Sequence, residues 1–206
     1  MADQIFIIRN KKSGDDEAAA RLVAEAFRGK YDVLADGDWD KASKIAEAEM
    51  RCRGRMDNFF VAVRGSRVIG AIEIISPEIQ GIPSGEMLSI YFKQLGLGKG
   101  LRASYLLSLL SRVVDSDEAC VSSLAVADEA RGRGVGRALL SSGEQFAREI
   151  GKKSLTLWVT ETNSSAIKLY ESAGFETIRH SNSTHLKKFF DLESWRQMSK
   201  NLETTI

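Results

Sequence analysis

The stretch Leu124–Leu140, LAVADEARGRGVGRALL, decides how the chain is read. Leu124, Ala125 and Val126 have the apolar character of the end of a buried strand. A polar loop from Asp128 to Arg131 follows. Three glycines then alternate with other residues, Gly132, Gly134 and Gly136, with Arg131, Arg133 and Arg137 beside them. From Val135 on, apolar residues recur at helical spacing: Val135, Leu139, Phe146, Ile150. A strand, a glycine-rich turn and a helix make a phosphate-binding geometry. The first N–H groups of a helix have no internal partner, and its dipole favours negative charge there. Glycine lets the backbone approach the ligand, and arginine adds charge-assisted hydrogen bonds to phosphate oxygens.

Two better-known phosphate loops do not fit. The dinucleotide fingerprint needs Gly-x-Gly-x-x-Gly, and from Gly132 or Gly134 its last position falls on Arg137 or Leu139. The P-loop needs Gly-Lys-Ser/Thr, whereas Gly98-Lys99 is followed by Gly100. What fits is Arg/Gln-x-x-Gly-x-Gly/Ala, met by Arg131, Gly134 and Gly136. This turn resembles the coenzyme A pyrophosphate loop of the GNAT superfamily of N-acetyltransferases. Taken alone, the turn also admits a second reading, a surface βα turn with solvated arginines.

A second stretch, Leu155 to Phe175, LTLWVTETNSSAIKLYESAGF, supports the resemblance. Leu155, Leu157 and Val159 alternate with Thr156, Trp158 and Thr160, as in a strand. Asn163 suits a helix N-cap, Ala166, Leu169, Tyr170 and Ala173 share a helical face, and Gly174 suits the C-terminal cap. A strand, an asparagine and a helix ending Leu-Tyr-Glu-x-x-Gly-Phe is similar to the second GNAT signature. The two signatures stand in the family's order across about 120–180; outside that segment the resemblance is only architectural.

The rest of the chain suits one domain. It has 206 residues, of which 43% are hydrophobic, enough for a substantial core. The net charge of +1 gives no broad footprint for nucleic acid. Two cysteines, Cys52 and Cys120, make no disulfide framework and suit a cytoplasmic protein. The apolar run at Ile5 to Ile8 is too short for a signal peptide or membrane span. Strands are predicted at Ile5 to Arg9, Asn58 to Arg64, Val68 to Ser76, Glu118 to Ala127, Leu155 to Thr160, Phe175 to Arg179 and near Trp195 to Lys200. Asp15 or Asp16 is expected to cap a helix whose inner face carries Ala19, Val23, Ala26 and Phe27. Residues 29 to 38 read as a Gly- and Asp-rich loop, and a helix follows from Trp39 to Arg51. His180 and His185 are not spaced like a metal site, so no metal is expected.

Residues 84–115 read as a helical insertion between the third and fourth strands. A first helix carries Met87, Ile90, Tyr91 and Leu95. Gly96 to Gly100 interrupt it, and a second runs from Leu101 to Val114 with apolar residues on nearly every side. It is too short to span a bilayer, which takes ~20 residues. It is a buried helix, a homodimer face or a lid over an acceptor site. The fold expected is therefore α+β: a central mixed, mostly antiparallel twisted sheet of about seven strands, flanked by helices.

The resemblance implies an acetyl-CoA-dependent N-acetyltransferase acting on a primary amine of a small molecule or peptide, without metal, nucleic acid or membrane. It implies that the fourth strand splays from the fifth after Val126, and that Leu124, Ala125 and Val126 pair with the pantetheine arm. Arg131, Gly132, Arg133, Gly134, Val135, Gly136, Arg137 and Ala138 would hold the pyrophosphate, with Asn163, Ala166 and Tyr170 also near the cofactor. Tyr170 matches the family tyrosine that protonates the leaving sulfur. The helices after the first strand wall the acceptor site in this family, which puts Phe27, Tyr31 and Trp39 near substrate; Phe27 and Trp39 fit a core role better. Relatives that acetylate protein N-termini often carry a glutamate where this chain has Trp158, which weakens that substrate class here. Glu73, Glu86, Glu118 and Glu161 remain as general-base candidates, with Glu118 placed on the fourth strand. With no base assigned, a CoA-binding sensor or interaction module without turnover is the alternative.

Overall fold

The computed structural model describes residues 5–53, 57–79, 82–109, 113–191 and 193–203. Seven strands form one sheet: β1 (Ile7–Asn10), β2 (Phe59–Arg64), β3 (Arg67–Ile75), β4 (Glu118–Val126), β5 (Ser154–Thr160), β6 (Glu176–Asn182) and β7 (Ser194–Asn201). Their order is β1-β2-β3-β4-β5-β7-β6, and among the described residues only β4 and β5 pair in parallel. The mixed, mostly antiparallel α+β sheet is the one expected.

One face of the sheet is covered by α1 (Asp16–Ala26), α2 (Arg28–Leu34), α3 (Trp39–Cys52), α4 (Ser84–Leu95) and α5 (Leu97–Ser108). They bury Ala20, Leu34, Ile45, Tyr91 and Leu106 in one cluster, which Phe190 and Trp195 complete. The other face is covered by α6 (Val135–Glu149) and α7 (Ser164–Ser172), which bury Leu139, Leu140, Phe146, Ile167 and Tyr170. A short α8 (Thr184–Phe190) joins β6 to β7 and touches α2. The sheet is thus sandwiched between two apolar layers, the arrangement that buries both of its faces.

Several local expectations are corrected. Residues 28–34 form α2 rather than a loop, because Tyr31 is drawn inward: its hydroxyl donates to the buried Glu49 carboxylate at 2.7 Å. Ala26 and Phe27 are exposed, so the inner face of α1 is Ala19, Ala20, Val23 and Ala24. Trp39 is partly buried, packed on the core and covered by the Arg28 guanidinium 4.6 Å from its ring. Asp15 does not cap α1 with its side chain; its carboxylate accepts from Arg9 at 2.6 and 2.9 Å and from the Lys12 N–H at 2.7 Å. Only Gly96 separates α4 from α5, and Gly98 and Gly100 lie within α5. That helix is also less buried than expected: Leu97, Leu101 and Tyr105 are more than half exposed. Leu110, counted in that helix on sequence grounds, lies outside the described residues. The apolar element at 186–190 is α8, a helix.

Candidate acetyl-CoA site

β4 and β5 pair only from Glu118↔Ser154 to Val121↔Leu157. Beyond that point each strand keeps only its outer neighbour. Leu124, Ala125 and Val126 pair with Ile72, Ala71 and Gly70 of β3, while Trp158, Val159 and Thr160 pair with β7. The strands therefore part after Val121, five residues earlier than the expected Val126, with Ser122 the first β4 residue past the last pair. The cause is local. β3 residues Glu73 and Ile74 face Ser123 and Val121, so Ser122 is an extra residue in β4. Such a bulge bends a strand and increases its twist. The edge of β4 that faces β5 is left open over Leu124–Val126.

This open edge runs directly into the glycine turn. After Val126, Ala127 donates to the Ile69 carbonyl, and a single 3-10 turn spans Asp128–Ala130. Gly132 and Gly134 adopt φ of +71° and +79°, a left-handed backbone that side chains resist. Arg131 braces the turn: its Nε donates to the Val126 carbonyl at 3.2 Å and its guanidinium pairs with Asp128 at 2.8 Å. α6 begins at Val135, and Ala138 makes the first helical bond, to the Gly134 carbonyl at 3.0 Å. The preceding N–H groups have no helical acceptor and point out of the end of a 15-residue helix. Arg133 and Arg137 are exposed beside them, and Arg137 donates to the Ser172 hydroxyl at the end of α7 at 2.6 Å. Unpaired donors, two left-handed glycines and arginines suit a pyrophosphate.

α7 closes the other side of the gap. Asn163 caps it, its Oδ1 accepting from the Ala166 N–H at 3.2 Å and from the Ser165 hydroxyl at 3.1 Å. Ala166 is partly buried on the same helix. Gly136 meets α7 directly: a Cβ there would stand 2.9 Å from Leu169 Cδ2. Tyr170 is buried with its ring 6.0 Å from that of Phe175. Its hydroxyl makes no hydrogen bond among the described residues, and burial alone pushes its pKa up to about 12. The structure thus brings the Leu124–Val126 edge, the 131–138 turn and α7 to one gap.

The base candidates are dispersed. Glu118 stands at the opposite end of β4, six residues before Leu124 and so roughly 20 Å away at the rise of a strand. Its pKa is raised by burial and then by Asp115. It belongs to the tightly paired part of the strand, and is not brought to the gap. Glu73 is buried and paired with Arg53 at 2.7 Å. Glu161 is held by Arg196 and by His180 Nδ1 at 2.8 Å; these partners lower its pKa. Glu86 is exposed on the first turn of α4. Sequence reasoning missed Glu49, which no motif marks. It is fully buried, and it accepts hydrogen bonds from Tyr31 of α2 and Tyr91 of α4, with Lys30 at 3.7 Å. Burial pushes its pKa up, but Lys30, Arg53 and the two tyrosines outweigh this and leave it lowered. Among the described residues no cluster of histidine, cysteine and carboxylates could hold a metal, and no helix is long and apolar enough to cross a membrane.

A family model described as the acetyltransferase (GNAT) family matches residues 21–175. The chain belongs to the GNAT family. A 67-residue segment is 33% identical to an uncharacterized N-acetyltransferase of Methanocaldococcus jannaschii, covering 32% of this chain and 30% of that protein. The chain spans less than a third of the length of the curated relatives it matches. A solved acetyltransferase has a TM-score of 0.69 at 22% identity, covering 96% of this chain and 100% of that one. A Salmonella typhimurium protein, yncA, solved with its cofactor acetyl-CoA, has a TM-score of 0.57 at 17% identity, covering 98% and 96%. At these identities the solved structures establish a shared GNAT fold. GNAT proteins use acetyl-CoA, and the parted strands and glycine turn of this chain occupy the 120–180 segment that carries the two signatures.

Proposed function

We propose that the chain is an N-acetyltransferase that transfers acetyl from acetyl-CoA to a primary amine of a small molecule or peptide, by direct attack within a ternary complex. The observation that carries this reading is the open β4 edge at Leu124–Val126 running into the unpaired N–H groups at the start of α6. Backbone amides there have no partner across the gap, so they suit an extended amide-bearing arm followed by a pyrophosphate.

When bound, acetyl-CoA supplies an acyl group on a thioester and a thiol as leaving group. The chain's part is to bind, orient and handle protons. The turn from Arg131 to Ala138 and Asn163 of α7 hold the cofactor. An N–H of the open β4 edge donates to the carbonyl oxygen as charge grows on it, which is the use of a preset donor. Tyr170 is neutral at pH 7, buried and not engaged elsewhere, so its hydroxyl is free to donate a proton to the departing sulfur. None of the four candidate carboxylates takes the proton of the amine in this reading; the amine arrives neutral or loses its proton to water.

Binding is tested by melting the protein with and without acetyl-CoA, since a ligand for the folded state raises the midpoint by mass action. Transfer is tested by release of free thiol with a panel of amines. A folded sample with no shift at millimolar acetyl-CoA defeats the reading. The homodimer reading attaches to the exposed stripe Leu97, Leu101 and Tyr105 of α5, and light scattering tests it.

A further inference from the structure

The gap between β4 and β5 opens on two faces, and the glycine turn and α7 take up one of them. The other face is where an acceptor must enter if the reading above holds, and its lips differ in size. On β5 the first residue past the last β4–β5 pair is Trp158, which is partly buried and packs on the cluster under α1–α5. Two residues on, Thr160 pairs with Trp195, which is buried in the same cluster. α8 adds Phe189, partly buried against that cluster. On this face the β4 lip has only small side chains, with Ala125 buried in this cluster and Ser123 two residues before it, while Leu124 and Val126 pack on the opposite face. Aromatic rings stand on one lip and a serine and an alanine on the other.

Charge on this side of the sheet is already balanced. Glu73, cross-strand from Ser123, is buried and paired with Arg53. Glu49 is buried and engaged by Tyr31, Tyr91 and Lys30. On α2, Asp32 lies 3.6 Å from Arg28, and Asp36 just after it pairs with Lys99 and Arg102. α8 contributes exposed Lys187 and Lys188. A polycation would find its buried counter-charges taken, whereas an apolar ring would lie against indole and phenyl faces, which favour such contacts.

Resting on the acetyltransferase reading, we infer that the acceptor is a primary amine carried on an aromatic or similarly bulky apolar body, and that Trp158 and Phe189 select it. One methylene in an apolar pocket discriminates by roughly 10–200-fold, so a phenyl ring should gain at least about 10-fold in kcat/KM over a short alkyl chain. The test compares 2-phenylethylamine, n-propylamine, spermidine and a short peptide with a free N-terminus, using thiol release. The expected result is preference for 2-phenylethylamine over n-propylamine by at least about 10-fold. Trp158→Phe should keep that ratio, while Trp158→Ala and Phe189→Ala should each bring it towards one with acetyl-CoA affinity retained. Phe189 is the independent arm if Trp158→Ala fails to fold. Equal rates for the two amines, or a preference for spermidine or the peptide, overturn the inference. So does acetyl-CoA binding without transfer to any of the four. Loss of acetyl-CoA binding itself instead defeats the acetyltransferase reading.

Discussion

Gly136 of α6 and Leu169 of α7 lie so close that a Cβ on the glycine would stand 2.9 Å from Leu169 Cδ2. The last glycine of the turn therefore serves helix packing, while Gly134, with φ of +79° and nothing within 4 Å of a notional Cβ, serves the loop. The two should respond differently to substitution. Gly136→Ala pushes the partly buried Leu169 methyl aside, and a gain in helix propensity of about 1 kcal/mol offsets that cost, so the melting midpoint should move by only a few degrees. Gly134→Asp keeps the packing, strains the left-handed backbone by about 1–2 kcal/mol and sets a carboxylate at the start of α6, so the fold should survive with a lower melting midpoint while the acetyl-CoA-induced rise disappears. An unchanged rise in Gly134→Asp would put the ligand elsewhere.

Glu49 is the second point of leverage. It joins α2 to α4 through the hydroxyls of Tyr31 and Tyr91, at a place with no exposure to solvent. Glu49→Ala leaves two buried hydroxyls and Lys30 without their acceptor and should cost about 3–5 kcal/mol. Tyr91→Phe removes one donor and leaves the other, so its cost should stay near 1–3 kcal/mol. Urea unfolding of both variants checks the order. Equal midpoints would mean that the carboxylate is not what ties these helices together.

These two contacts show what the sequence reveals and what it hides. The places of the strands along the chain, the glycine turn and the Asn163 cap follow from local spacing, and the structure has them close to where expected. Gly100 looks like a helix breaker but lies inside α5, because a Cβ there would stand 2.4 Å from Phe92 Cδ1 of α4. Its reason is a neighbouring helix, which composition does not report. α2 was hidden likewise: its Tyr31 finds a partner 18 residues later in Glu49. The point at which β4 and β5 part depends on one extra residue, Ser122, whose effect appears only against β3. Glu118 looked suitable by strand and residue type; its distance along β4 removes it from the gap.

Stability should also fall at both ends of the pH scale. Asp15, held by Arg9, and Glu49 both have lowered pKa values in the folded chain. A lowered carboxylate pKa gives stability that is present above the unfolded value, near 4, and lost as the pH falls through the folded one. Tyr31, Tyr91 and Tyr170 are raised, chiefly by burial. Their contribution is complete below the unfolded value, near 10, and is lost as the pH rises through the folded values. Melting midpoints should form a plateau between about pH 5 and 10 and drop on either side. Ionisation of all four tyrosines near pH 10 in the folded protein would contradict the alkaline limb.

The last prediction concerns Tyr170. Its ring packs beside Phe175, and its hydroxyl makes no hydrogen bond among the described residues. Tyr170→Phe keeps the ring and removes only the hydroxyl, so no internal hydrogen bond is lost and the melting midpoint should stay the same or rise. If the hydroxyl protonates the leaving sulfur, turnover should still fall, since acid catalysis of this kind is worth about 10²–10⁴-fold. A thiol is a fair leaving group without help, which favours the lower part of that range. The affinity for acetyl-CoA should change little, because the 131–138 turn and the β4 edge supply the contacts. With a pKa near 12, Tyr170 stays protonated across the working range. Turnover of the parent protein should therefore show no loss attributable to it below about pH 11, one unit under that value. A stable variant with unchanged turnover would reduce Tyr170 to a packing residue. A variant that loses affinity and turnover together would make it a cofactor contact instead of an acid.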